Sequence, residues 1–358
     1  MPVRNFEPIN PTTDITNTRT FLHEVIPITG SIVSGTYGDE NIKNYTHGMF
    51  QSVFDYPFLS SSANHIFDLA VGYAGDSALS SSSNTQNSKK INMYNQFAQT
   101  LLGFTGSANN IRPFESDLLL DLTGSMKEVF FVNFSRLLSK DEIKKNTFSI
   151  TIGTSSYSNP YFNPGAANPG ALTLQDAKAR INGDGVANAD GGDYGVLFSN
   201  SAGTGVGLGV VFYQAGVAVI TASAFDAGIG GTIPQFNNDA THGFQSVQQT
   251  LTGSSITGAI NAFRHRIKNI SFNNSTEINS TVYFCRAPAN KFNYSSNPTY
   301  VTGSKIRVKN VASDNPIAYV TTVGLYNSAN ELMAIAKLSE PLKKSVDNEL
   351  TIRVRLDY

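Results

Sequence analysis

The run Leu350-Thr351-Ile352-Arg353-Val354-Arg355-Leu356 alternates without a break. Leu350, Ile352, Val354 and Leu356 point one way; Thr351, Arg353, Arg355 and Asp357 point the other. A period of two with one apolar face predicts a half-buried β-strand and does not fit the 3.6-residue repeat of a helix. Shorter runs precede it at Thr281–Phe284, Lys305–Val308, Ala318–Val323 and Leu332–Ala336. The polar stretch Asn327-Ser328-Ala329-Asn330 sits between Val323–Tyr326 and Leu332–Ala336 and predicts a hairpin turn. Residues from Ile278 to Tyr358 therefore read as one β block, with its last strand tied into a sheet, around which the rest of the chain is organised.

The same period recurs upstream. Phe67–Tyr73, Glu128–Phe134, Thr147–Ile152, Tyr194–Phe198, Gly209–Tyr213 and Val217–Thr221 all read as strands. Gln214-Ala215-Gly216 joins the last two as a three-residue hairpin loop with Gly in the left-handed position. A short strand region is expected over Pro27–Tyr37. Helical spacing is rarer. Ile91, Tyr94, Phe97, Ala98, Leu101 and Leu102 share one face, with Ser88 as N-cap and Gly103 as the stop. Aromatics near a spacing of four suggest a short helix within Asn41–Phe58, ending before Pro57. Ser139-Lys140-Asp141-Glu142 reads as a capping box opening a helical turn through Lys145, which accounts for Glu142 without acid–base work. Phe244–Ile267 reads as largely helical, with Ile256, Ile260 and Phe263 on one stripe. Asp117–Leu122 fits strand and helix equally.

These elements predict a mainly β protein: sandwich-like β-domains with two or three short helices and Gly/Asn-rich loops. Four regions follow. Residues 1–26, rich in Pro and Thr, form an extended arm that lies across a neighbour or hangs free. Residues 27–153 form a β-rich domain with one amphipathic helix. Residues 154–266 form a Gly/Asn-rich β insertion ending in a helix, and 267–358 the C-terminal β-domain. No repeat of 20–50 residues is present, which excludes a solenoid or propeller.

Composition narrows the function. Charged residues are 15% of the chain, well below the usual quarter, with Ser, Thr, Asn and Gly in their place. Such a surface suits permanent packing against partners, or simply a β protein with many turns. Residues 1–259 hold 13 Lys+Arg against 20 Asp+Glu, and residues 260–358 hold 13 against 7. This asymmetry can orient subunits head to tail, yet it is too scattered to be a nucleic-acid footprint. The lone Cys285 excludes an internal disulfide and a thiolate cluster, and reads as a buried packing thiol. No apolar leader and no 18-residue apolar run occur, so a soluble product of a cytoplasm is expected.

Motifs for chemistry fail on spacing. The loop Asn182–Asp193 carries Asp184, Asp190 and Asp193, but calcium-loop spacing breaks at Val186 and no Glu closes it. Gly203–Gly209 lacks dinucleotide spacing and any following Lys-Ser/Thr. None of His23, His47, His65, His242 and His265 is spaced from another as a metal pair, and no Gly-x-Ser-x-Gly elbow exists. Arg264-His265-Arg266 reads as a solvated helix end, with a local anion contact as the alternative. No catalytic, cofactor or metal residue is assigned, and an inert, metal-free chain is expected.

Four phrases carry a resemblance: Phe284-Cys285-Arg286-Ala287, Phe292–Tyr300, Thr321–Asn327 and Ala336–Lys344. They are similar to a C-terminal module of virion structural proteins in large contractile-tailed bacteriophages, marine ones especially. The stretch His47–Thr154 resembles the same proteins, and together these segments cover roughly half the chain. The resemblance implies a non-enzymatic structural subunit of the particle, made in the host cytoplasm and placed in the tail-associated apparatus, at the baseplate or else the neck and collar. It implies other virion proteins or further copies in a ring as partners, with neither nucleic acid nor membrane. Candidate interface residues are Arg353, Arg355, Phe292, Tyr294 and Tyr300. The alternative is a receptor- or glycan-binding adsorption module, with Tyr157, Tyr161 and Phe162 as loop contacts.

Overall fold

A computed structural model describes residues 6–23, 33–34, 39–105, 110–161, 170–179, 185–226, 235–240, 242–294, 301–302, 305–306 and 315–357. The fold is mainly β with few short helices. Contacts divide the chain into a terminal unit, Met1–Leu22 with Glu277–Tyr358, and a central unit, His23–Thr276. The boundaries expected at 153 and 266 are not where the contacts divide it.

The first strands in chain order are β1 (Ile15–His23), β2 (Val33–Ser34), β3 (Ile42–Asn44), β4 (Phe50–Phe54), β5 (His65–Tyr73) and β6 (Glu128–Phe134). Next come β7 (Glu142–Ile143), β8 (Ser149–Gly153), β9 (Ala171–Gln175), β10 (Val186–Ala189), β11 (Gly192–Leu197), β12 (Gly209–Phe212) and β13 (Val217–Thr221). They are followed by β14 (Asn237–Asp239), β15 (Gly243–Gln245), β16 (Ile267–Ser271) and β17 (Asn274–Ala287). The last are β18 (Val301–Thr302), β19 (Lys305–Ile306), β20 (Ile317–Tyr326), β21 (Leu332–Ser345) and β22 (Leu350–Asp357). The helices among the described residues are α1 (Asn87–Leu102), α2 (Arg136–Ser139), α3 (Val247–Gly253) and α4 (Ile256–His265).

The central unit is built on an eight-stranded antiparallel sheet, order β10-β11-β12-β13-β6-β5-β4-β3. Both of its faces are apolar, because neighbouring residues of β5, β6 and β13 are buried on opposite sides. Ala70, Val129, Phe131, Val217 and Val219 feed one core, under Met93, Tyr94, Ala98 and Leu101 of α1. Leu69, Phe130, Val132, Ala218 and Ile220 feed the other. That second core is shared with Ile256, Ile260 and Phe263 of α4 and with Ile150, Ile152, Ile267 and Ile270 of a four-stranded sheet, order β2-β16-β8-β9. Two sheets on one core make the expected sandwich, and α1 adds a layer on the outer face. Phe97 stacks on Phe131 (4.1 Å) and Phe130 on Phe263 (4.5 Å), fixing a helix to each face.

Several expectations are corrected here. Asn41–Phe58 is not helical: it holds β3 and β4. Phe50 and Phe54 lie four apart, a spacing that fits both periods, and the buried Gln51-Ser52-Val53 between them pairs into the sheet. The Ser139 turn is absent; α2 ends at Ser139, and Glu142–Ile143 pair with the start of β17. Helix α1 opens not at Ser88 but at Asn87, after Gln86 in the left-handed region (φ 54°). The Gln86 side chain instead accepts from Ile256 N (2.8 Å). Gly103 does end the helix, with φ 72° and its N–H donated to Gln99 O. Asp117–Leu122 is neither strand nor helix. Ile267–Ser271 belongs to the central unit, against β8, and does not open the terminal block.

The terminal unit contains a sheet in the order β1-β17-β22 and a separate two-stranded ribbon, β20–β21. Part of the expected arm is thus structured: Asp14 bridges Arg286 at 2.9 Å, and Thr281 donates to Asn17 Oδ1. The alternation of β22 holds, yet only Val354 is buried; Leu350, Ile352 and Leu356 are half-covered. The large cores lie in the central unit, not in the block the sequence points to.

Candidate functional site

The ribbon is the most exposed apolar element among the described residues. β20 and β21 pair with each other alone, ten residues against fourteen. The turn forms as expected: Asn327 N–H donates to Glu331 O at 3.0 Å, and Asn330 adopts φ 61°. Near mid-length the register jumps from Val320↔Leu342 to Thr322↔Lys337, so Leu338-Ser339-Glu340-Pro341 bulge opposite Thr321. A bulge is where a strand tolerates Pro, which cannot donate to the ladder.

Beyond the bulge the two faces differ. Val323, Leu325, Ala334 and Ala336 are half-covered or buried. On the other face Tyr326 and Leu332 lean over Gly324, where a Cβ would meet Tyr326 Cε2 at 2.9 Å and Leu332 Cδ1 at 3.2 Å. Tyr326 is 41% exposed, Leu332 51% and Ile335 61%, with Met333 at 69% beside them. The β21 edge carries Lys337, Lys343 and Pro341, residues that disfavour strand-to-strand pairing, whereas β20 holds neither Lys nor Pro.

The predicted site residues are scattered. Arg353 is exposed on β22. Arg355 is held within its own sheet, donating from Nε to Asp357 Oδ1 (2.7 Å) and from Nη2 to Ser280 Oγ (2.9 Å). Phe292 is half-buried in a turn at φ 59°, and Tyr294 is 51% exposed. Tyr300 and Phe162 lie outside the described residues. Tyr161 donates its hydroxyl to His265 O (2.8 Å) and Ile267 O (3.1 Å), and Tyr157 stacks on His265 at 4.5 Å. Both loop tyrosines are thus engaged within the central unit. Cys285 is half-buried, and burial pushes its thiol up.

Arg266, Lys90 and Asp176 are among the buried ionisable groups that escaped the sequence reading. Arg266, expected at a solvated helix end, is fully buried and donates to the carbonyls of Phe236, Gly153, Ser155 and Gln235. Desolvation lowers it to about 10, so it stays charged, with its guanidinium over the Phe236 ring. Lys90 is equally buried and donates to Leu251 O (2.5 Å) and Ser254 O (2.8 Å); desolvation lowers it to about 8. Asp176 accepts from Asn146 N, Phe148 N and the Tyr213 hydroxyl, yet burial still raises it to about 6. Each satisfies backbone or neighbouring polar groups, and none faces a second group suited to nucleophilic work.

Ser52, Asp68 and His65 have the composition of a catalytic triad but not its connectivity. Ser52 Oγ donates to Asp68 Oδ1 (2.5 Å), and His65 Nε2 lies 2.8 Å from the same oxygen. The carboxylate stands between hydroxyl and imidazole, so the imidazole does not meet the serine as it does in a triad. Asp193, from the acidic loop, pairs with Lys145 at 2.6 Å. Among the described residues no cluster of three or more His, Cys, Asp or Glu is arranged to hold a metal, and no helix is long and apolar enough to cross a membrane. Comparison with protein families, with curated proteins and with solved structures finds no match for this chain.

Proposed function

We propose that this chain is a non-enzymatic structural subunit that assembles through protein–protein contacts, in the tail-associated apparatus of a contractile-tailed phage, at the baseplate or the neck. The observation that carries the assembly reading is the apolar tip face Tyr326/Leu332/Ile335 on a ribbon that pairs with no further strand among the described residues. A two-stranded ribbon is marginal alone in water, and clustered exposed apolar side chains mark interaction sites. The sparse surface charge supports the same reading, and the phage placement rests on the sequence resemblance. The adsorption-module alternative gains no support from the loop tyrosines, since the Tyr157 ring stacks on His265 and the Tyr161 hydroxyl donates to His265 O.

The test is incorporation into particles. Leu332→Asp with Ile335→Asp should leave the melting temperature of the purified chain unchanged and exclude it from virions assembled in the infected host. Immunogold labelling of wild-type particles should mark the tail-associated end. Incorporation of the double variant at wild-type level, or absence of the chain from particles, would refute the proposal.

A further inference from the structure

A cavity of about 540 Å³ opens between α1 and the large sheet of the central unit. Its volume lies within the range of small-molecule sites, about 300–1,000 Å³. Phe50, Met93, Phe97 and Val217 give it an apolar body, and Asp68 is the one formally charged residue that lines it. Asp68 and Asn133 face each other directly across the β5–β6 ladder and place a carboxylate beside a carboxamide. Asp68 Oδ1 already serves Ser52 and His65. Among the described residues Asp68 Oδ2 and the Asn133 carboxamide have no hydrogen-bond partner.

We infer that this cavity binds a small organic cation, an ammonium or guanidinium on an apolar body, with its charge at Asp68 and Asn133 and its body between Phe50 and Phe97. A carboxylate walled by apolar groups attracts a cation more strongly than one in open water, because the local dielectric is lower. Aromatic faces add cation–π attraction. An anionic ligand would meet the Asp68 carboxylate with like charge, and a neutral hydroxyl would give Oδ2 a weaker partner than a cation does. The inference is independent of the assembly role.

Calorimetry of the full chain at pH 8 tests this with 2-phenylethylamine as probe and 3-phenylpropanol as its neutral counterpart. The amine should bind about ten-fold or more tightly than the alcohol, the usual worth of one charge-assisted hydrogen bond. Asp68→Asn should abolish that preference while the melting temperature holds. Asn133→Asp, which adds a second carboxylate, should tighten the amine, so a folding failure in the first variant leaves the inference testable. Equal affinity for the two probes, no amine binding at millimolar concentration, or an unchanged preference in Asp68→Asn would overturn it.

Discussion

The Phe6 ring meets the Tyr326 ring edge-on, with centroids 5.0 Å apart and planes at 66°. A residue from the start of the chain thus covers part of the ribbon tip. Aromatic pairs of this geometry contribute about 0.5–1.5 kcal/mol beyond area burial. Phe6→Ala should therefore reduce hydrogen-exchange protection of Val323–Tyr326 by roughly 2- to 10-fold, with no change in the β6 amides. Unchanged protection at the tip would show that the contact adds nothing.

Arg266 is predicted to be the costliest surface-like residue to replace. Arg266→Met leaves four carbonyls, three of them buried, without their donor. Unfolding should become easier by roughly 3–5 kcal/mol, on the order of 10 °C in melting temperature for a domain of this size. Arg266→Lys should recover little, since one ammonium cannot reach carbonyls arranged around a planar fork.

Lys90 should make stability rise with alkaline pH. Its folded value of about 8 lies below the ordinary 10.5, so between these the unfolded chain binds more protons than the folded one. Stability attributable to Lys90 should increase from pH 8 to 10.5 by at most about 3 kcal/mol. Lys90→Met should lack that increment. Parallel denaturation curves for the two proteins across pH 7–10.5 would contradict the assignment.

Asp176 carries the opposite sign. Its folded value, raised to about 6 from 3.8, means that its stabilising contribution is full below pH 3.8 and is lost as pH rises through 6. Chemical denaturation of wild type and Asp176→Asn should show the wild type losing stability relative to the variant between pH 4 and 7, by up to about 3 kcal/mol. A constant difference over that window would mean that Asp176 stays ionised.

Truncation after Glu349 should damage the terminal unit alone. It removes all eight partners of Ser280–Ala287 on β22, so those amides should lose protection. The central cores contain no residue of β22, and the main melting transition should persist. Loss of that transition would show that the terminal strand supports the whole chain.

The sequence by itself determined what depends on neighbours along the chain. The two-residue period of Leu350–Leu356 and Glu128–Phe134 follows from the strand pleat, and the stripe Tyr94, Ala98, Leu101 follows from the helical turn. Both appear as read, as do the Asn327–Asn330 turn and the Gly103 stop. Tertiary structure alone decided what depends on partners far along the chain. Phe50 and Phe54 satisfy either period, and pairing with Ala70 and His65 makes them strand. Ile267–Ser271 is strand by pattern, but pairing with Ser149–Ile152 takes it out of the terminal block. The candidate surface shows the same division. Met333 and Ile335 alternate with Ala334 and Ala336 as in any half-buried strand, and only the fold decides that the larger side chains are the exposed ones. Arg266 and Lys90 look solvated in one dimension, because burial is set by elements up to more than a hundred residues away whose carbonyls converge on each charge.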